Sequence, residues 1–485
     1  MTPTDAQAVL PHYIAGAFQN ETSGETFTDV NPSDSRDVIA RVPAGDPEDM
    51  ARAVDAAATA LTGWRRRTGS DRANILYSWA EAIDARAEEI AQAVCREVGK
   101  PIREARGEVG RCVVILRYYA GDAVRSKGEV VPAMKEGALQ FTLRDPLGVV
   151  GLITPWNFPV AIPLWKAAPA LAFGNTVVLK PAEQSSQVAI LLAETAEKAG
   201  VPAGVFNVVL GSGSVVGEAL VRAEPVRGVS FTGSVAVGSQ VAAICAERNI
   251  RYQTEMGGKN VVIVRPDADL DLAADLTVAG AMGYAGQKCT ATSRAIVDRR
   301  VEEDFLARVQ KRVQGLALAP VTDAAVSVGP VISEASRERV RSALASPSGD
   351  RVVGGGDLEG EPFAHGFFIE PTVLRGVDPD SEVAQEELFG PVLSTFTADD
   401  LDEALSLANR TRYGLSASLF TRDVGEMLSY IDRIQVGLVR VNGDTTGVDP
   451  HAPFGGFKSS SSGSREQGSA AREFYTEVKT VQVNP

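Results

Sequence analysis

GVVGLITPWNFPVAIPLW, residues 148–165, runs 18 residues without a charged side chain, near the length a membrane-spanning helix requires. Pro155, Pro159 and Pro163 fall within it, with Asn157 between the first two. Prolines so spaced remove amide donors and clash with the preceding turn, so no single regular helix passes through them. The stretch reads instead as a buried strand, Gly148–Ile153, entering a structured loop. Outward from it the pattern alternates. Val-rich runs at Thr176–Leu179, Val205–Leu210, Val226–Phe231 and Ile250–Thr254 are separated by segments of helical periodicity. Those segments are Leu164–Ala172, Ser186–Ala199, Ser214–Ala223 and Val237–Glu247. Apolar runs bounded by Gly, Pro or Asn are what buried parallel strands present. Strand and helix repeating about every 25 residues predict an α/β, doubly wound, Rossmann-like sheet, which binds ligands at the carboxyl ends of its strands.

The first 120 residues read as mostly helical, with apolar positions three and four apart from Met50 to Gly99. Residues 128–148 alternate polar and apolar around a Lys-Glu-Gly break, which predicts an exposed β-hairpin. A second α/β region follows residue 255, with strands at NVVIV (260–264), ATSRAIVD (291–298) and VGLVRVN (436–442). KTVQVN (479–484) reads as a lone strand that pairs elsewhere in the chain or with another subunit.

At 485 residues, 44% apolar and 23% charged, the chain has ample core material. Its net charge of −14 speaks against nucleic acid as a partner. Four cysteines with no CxxC, and three histidines, form neither a disulfide framework nor a metal site. The N-terminal residues lack a basic stretch followed by an apolar one, so no signal peptide is expected. A cytoplasmic protein with no membrane partner is the expectation.

Several residues stand where chemistry needs them. GSGSVVG, from Gly211, and FTGSVAVG, with Gly233 and Ser234, each join a strand to a helix, where backbone amides can hold a pyrophosphate. Either alone could be a tight turn; two in consecutive units favour a nucleotide. Lys180 and Glu183 follow another strand. Such a carboxylate would accept bonds from both hydroxyls of a ribose and repel a 2′-phosphate, although a solvated strand end would look the same. Cys289, next to Lys288 in GYAGQKCTATSR, has the small, polar surroundings of a nucleophilic thiol, whereas Cys95, Cys112 and Cys245 lie in helical patterns as inert core residues. Glu255 ends a strand just before Gly257 and Gly258, which would let a general base swing. Asn157 offers an amide to an oxyanion, or merely orders its loop.

PWNFP, KPAE, FTGSVAVG, EMGGKN, GQKC, EELFGPV (386–392) and PFGGFK (453–458) occur in the order of the aldehyde dehydrogenase superfamily, which the whole chain resembles. The resemblance implies Cys289 as the nucleophile that forms a thiohemiacetal and then a thioester, and Asn157 with the Cys289 amide as the oxyanion hole. It implies Glu255 as the base that activates water and Glu466 as a second acid nearby. Lys180, which the resemblance also implies among the catalytic residues, and Glu183 match adenosine-ribose contacts. Glu387 and Phe389 match a nicotinamide-ribose clasp, and Trp156 and Ser234 further cofactor contacts, for NAD with NADP possible. Phe158, Trp165 and Phe454 fall on pocket positions. Members that pass the acyl group to coenzyme A lack a Glu where Glu255 stands, which implies release of a free acid.

The implied organisation is a cofactor domain (1–124 and 146–254), a catalytic domain (255–458) and an oligomerisation arm (125–145 and 470–485) that builds a homodimer or homotetramer. Two departures stand out. Met256 replaces the usual Leu, and the serine-rich KSSSSGSREQG replaces a glycine pattern. GQKCTATSR, GVDPHAPFGGFK and the C-terminal REFYTEVKT are similar to the α-ketoglutaric semialdehyde (2,5-dioxopentanoate) dehydrogenases. A carboxylate-bearing substrate would favour an Arg or Lys near the site, for which Arg117 and Arg294 are candidates, although both could equally be structural. A general aliphatic or aromatic aldehyde dehydrogenase, an inactive structural or binding member of the fold, and esterase action by Cys289 are the alternatives.

Overall fold

The computed structural model describes residues 9–19, 24–125, 128–321, 325–356, 358 and 360–485. The expectation for the extreme N-terminus and part of the arm at 126–127 lie outside the described residues. An eight-stranded sheet is built on five parallel strands: Val149–Ile153, Thr176–Lys180, Phe206–Val208, Val226–Thr232 and Arg251–Glu255. These are the five runs expected from the sequence. Val149–Ile153 lies in the middle, with Thr176–Lys180 and Phe206–Val208 on one side and Val226–Thr232 and Arg251–Glu255 on the other. The strand order therefore reverses between Val149–Ile153 and Val226–Thr232, and a crevice opens beyond their carboxyl ends. Into it lead the loop that carries Asn157 and the turn that carries Gly233 and Ser234.

Helices cover both faces of this sheet. The helix Ala161–Ala172 has all its residues buried, as an all-round apolar segment must be. It begins three residues before the expected Leu164, because Pro163 is tolerated in a first turn whose amides have no helical acceptor. Ser214–Ala223 differs from expectation too: a π-helical turn, Gly213–Gly217, precedes the short helix Glu218–Arg222.

The N-terminal region is helical at Pro47–Arg66, Gly69–Ala85, Ala87–Val98 and Ile102–Asp122. The described residues between 12 and 43 are not. His12–Ile14 and Ala17–Gln19 extend the main sheet at its edge, and Thr26–Asn31 pairs with Asp34–Pro43. Strands of three residues are too short to show a period, and their stability comes from partners distant in sequence.

The second sheet has seven strands, ordered Asp350–Val353, Thr372–Arg375, Val392–Ala398, Thr292–Asp298, Asn260–Val264, Ser416–Phe420 and Leu438–Val441, with its own core around Val262, Ile296 and Leu419. The terminal strand Thr476–Val483 finds its partner within the chain. It pairs antiparallel with Leu139–Pro146, which forms the expected hairpin with Val130–Val131. Among the described residues no helix is long and apolar enough to cross a membrane.

Candidate active site

Cys289 stands just before the strand Thr292–Asp298 of the second sheet, and Glu255 ends a strand of the first. The site lies where the two sheets meet. The turn before the cysteine is unusual: Tyr284, Ala285 and Gly286 all have positive φ, at 52°, 51° and 69°. Two successive non-glycine residues in that region are costly, and surrounding bonds must hold them there. Asn260 Nδ2 donates to the Cys289 carbonyl and to that of Ala291, both at 2.8 Å. Gln287 accepts from the Ile332 amide at 2.8 Å.

A cavity of about 450 Å³ opens beside Cys289, lined among others by Trp156, Asn157, Gly233, Ser234, Glu387 and Phe389. The Asn157 Nδ2 donates to the Gln287 carbonyl at 3.0 Å, leaving its second hydrogen for an oxygen in the cavity. Ser234 caps the helix Val235–Glu247 by accepting from the Val237 amide at 3.4 Å. Val235 and Ala236 also line the cavity, so first-turn amides and the positive end of the helix dipole face it. Trp156 meets Phe389 edge to face at 5.6 Å, closing one wall.

Gly257 and Gly258 serve close approach here. A β-carbon at Gly257 would overlap the Glu387 carboxylate, and one at Gly258 would stand 2.8 Å from the Cys289 carbonyl. The Gly258 amide donates to Glu387 at 3.0 Å and Lys259 Nζ to the Glu386 carbonyl at 2.7 Å. These bonds tie residues 386–389 to the strand end. Burial pushes the Glu387 carboxyl up to about 7.

Lys288 does not serve the thiol: it is ion-paired with Glu104 at 2.7 Å. Cys289 instead faces carboxylates. Burial, with Glu387, Glu255 and Glu466 nearby, pushes its thiol well above the ordinary value. Glu255 is buried and does not line the cavity. Burial and Glu466 raise its carboxyl well above the usual carboxylate range. Glu466 is ion-paired with Lys166, which also donates to Ser230 at 2.8 Å.

Lys180 and Glu183 lie apart from Cys289, beside Gly213, whose amide donates to Glu183 at 3.3 Å. Burial lowers the Lys180 ammonium to about 8, against the opposing effect of Glu183. Gly211 does not line the cavity. Its β-carbon would overlap the Ala44 carbonyl, so backbone packing by itself requires a glycine there. Trp165 and Phe454 pack together at 5.8 Å, and Phe158 lies under the Lys100 ammonium at 3.9 Å; none of the three lines this cavity. Arg294 is buried and donates to the carbonyls of Lys259, Leu407 and Ala408, at 3.0, 3.2 and 2.9 Å. It is a structural arginine, and Arg117 is exposed on its helix.

Sequence reasoning missed Lys100. It is fully buried, ion-paired with Glu108, and donates to the Asn157 carbonyl at 2.7 Å. Glu108 in turn accepts from the amides of Val160 and Ala161, at 2.9 and 3.0 Å. Together they hold the Asn157 loop from both ends. Nothing in VGKP marks the lysine as buried. Lys100→Met is expected to destabilise the fold by about 3–5 kcal/mol, since it strands a buried carboxylate. It is also expected to lower kcat by up to about 10²-fold through misplacement of Asn157. Chemical denaturation and initial rates check both.

The model of the aldehyde dehydrogenase family matches residues 18–481. The chain belongs to that family. It is 45% identical over 488 residues to the α-ketoglutaric semialdehyde dehydrogenase of Bacillus subtilis, covering 100% of both chains. The α-ketoglutarate semialdehyde dehydrogenase of Haloferax volcanii is 43% identical over 474 residues, 97% of this chain and 98% of that one. Among solved structures, betaine aldehyde dehydrogenase from Staphylococcus aureus in complex with NAD+ superposes with a TM-score of 0.95. It is 32% identical, over 98% of this chain and 95% of that one.

Proposed function

We propose that this dehydrogenase oxidises 2,5-dioxopentanoate, or a closely similar acidic semialdehyde, to the free acid with NAD as its cofactor. The observation that carries the chemistry is one cavity lined by both Cys289 and Asn157 and reaching the N-terminus of Val235–Glu247 at the reversal of strand order. The same crevice fits a dinucleotide. The helix start with Ser234 suits the pyrophosphate, Lys180 and Glu183 the adenosine ribose, and Glu387, Phe389 and Trp156 the nicotinamide end. NAD supplies the hydride acceptor. Glu183 would repel a 2′-phosphate, which favours NAD over NADP.

The residues divide the work. The Cys289 thiol gives up its proton to solvent as the sulfur bonds to the aldehyde carbon, and the carbonyl oxygen takes the charge facing the Asn157 amide, a stabilisation of about 3–4 kcal/mol. Loss of hydride from that carbon leaves a thioester. Glu255 takes a proton from the attacking water, the carbon–sulfur bond breaks, and the acid departs. The substrate assignment is supported by the two semialdehyde dehydrogenase relatives and by the C-terminal segments.

The test is NADH and NADPH formation with 2,5-dioxopentanoate, succinic semialdehyde, betaine aldehyde, hexanal and benzaldehyde. We expect 2,5-dioxopentanoate to give the highest kcat/KM, by at least about tenfold over hexanal, and NAD to be preferred. Preference for hexanal or benzaldehyde would replace the substrate with a general aldehyde.

The domain division at residue 255 is our reading too, supported by the separate cores of the two sheets. The three-stranded sheet exposes Val130, Leu139, Val478 and Val483, which suits an arm in a homodimer or homotetramer, and sedimentation velocity reads the state. Four unpaired cysteines suit a reducing, cytoplasmic setting.

A further inference from the structure

The strand Ser461–Gly463 comes from the serine-rich segment that departs from the family pattern. It runs antiparallel beside Arg251–Glu255, with Ser461 directly opposite Glu255. Directly opposed residues of an antiparallel pair project to the same face. There Ser461 Oγ donates to Glu255 Oε2 at 2.5 Å. It also accepts from the Gly456 amide at 2.6 Å, so its single proton is committed to the carboxylate. On the other side of the carboxylate lies Gly455, where a β-carbon would stand 2.8 Å from Oε1. Oε1 itself is buried without a hydrogen-bond partner among the described residues. Met256 and Gly257 line the cavity beside Cys289, and Glu255 does not. The carboxylate thus sits behind the cavity wall, held by one hydroxyl.

We propose that Ser461 is a positioning residue that parks Glu255 behind the cavity wall and yields it toward Cys289 for hydrolysis of the thioester. The proposal rests on Glu255 being the base in that step. Leaving the parked position breaks one hydrogen bond and frees an oxygen that has no other partner to lose. A parked carboxylate also leaves the cavity beside Cys289 open until water must be activated.

The groups facing Glu255 fix the sign of the effect. Burial and Glu466 favour its neutral form, whereas the Ser461 hydroxyl, Lys166 and Arg465 favour the ionised one; Cys289 lies across the wall. Removing the hydroxyl removes a donor to the ionised form, so the carboxyl titrates higher and the base is lost at a higher pH.

Four variants of the full chain, three at Ser461 and one at Glu255, test this by stopped-flow and steady-state NADH formation across pH. In Ser461→Ala the first-turnover burst keeps its rate. The acid limb of steady-state turnover moves up by about one pH unit, a fall of about tenfold on the limb itself. Ser461→Cys, a weaker donor of similar size, moves the limb less in the same direction, and Ser461→Thr restores the parent profile. An acid limb unmoved in both Ser461→Ala and Ser461→Cys overturns the proposal. Glu255→Gln separates this failure from that of the underlying reading. If Glu255→Gln leaves steady-state turnover intact, the base assignment falls and takes the Ser461 role with it. If Glu255→Gln stalls after the burst while Ser461→Ala titrates like the parent, only the Ser461 role falls.

Discussion

Cys289→Ala abolishes aldehyde oxidation, lowering kcat by more than about 10⁴-fold, while NAD binds within about twofold of the parent affinity. The sulfur is the one nucleophile lining the cavity that can form the thioester, and no neighbour replaces it. Cys95, Cys112 and Cys245 are all buried elsewhere, and burial holds each thiol above its ordinary value. The elements that suit the cofactor are independent of that sulfur: the helix start at Ser234, the strand end at Lys180 and Glu183, and the Trp156–Phe389 wall. Isothermal titration with NAD, alongside initial rates, reads the two properties separately. Ester hydrolysis by the parent protein that is independent of NAD and outpaces aldehyde oxidation would favour the esterase alternative, and its absence removes it. Near-normal oxidation by Cys289→Ala would remove the cysteine mechanism. Failure of the parent protein to oxidise any aldehyde of the panel would restore the inactive-member alternative.

What the sequence shows and what it hides divide along the range of the interactions. The five parallel strands are legible because each is a continuous apolar run between helices of a different period. Cys289 is legible because its neighbours are small and polar while the other cysteines sit in helical patterns. Gly211 is legible as part of a strand-to-helix turn, whereas its close approach to the Ala44 carbonyl, far away in sequence, is not. Lys288 is adjacent to the thiol in sequence, yet its side chain reaches Glu104 on another element. Lys100 touches the Asn157 loop across 57 residues of chain, and Ser461 touches Glu255 across 206. No local pattern records such pairings. The serine run is visible as a departure, and the antiparallel register brings one of its hydroxyls to Glu255.

Glu255→Gln is expected to keep the first turnover and lose those that follow. A fast burst of NADH, close to one per active site, gives way to a steady-state rate lower by about 10²–10⁴-fold. Glutamine keeps the size of the side chain and can still accept from Ser461, so the parked geometry survives while the base does not. Acylation and hydride loss make no use of the parked carboxylate, which does not line the cavity. The pH dependence follows from burial and Glu466, which raise this carboxyl well above the usual carboxylate range. A base works only when ionised. The parent's steady-state rate is therefore lost as pH falls through that raised value, at a higher pH than an exposed glutamate would set. In Glu255→Gln this acid limb disappears from steady-state turnover, because no titrating base remains to define it. The burst keeps its own pH dependence, governed by a Cys289 thiol that burial and three nearby carboxylates raise above its ordinary value. Stopped-flow NADH traces across pH, for parent and variant, separate the two limbs. A variant whose steady-state rate and acid limb match the parent would take Glu255 out of the hydrolytic step.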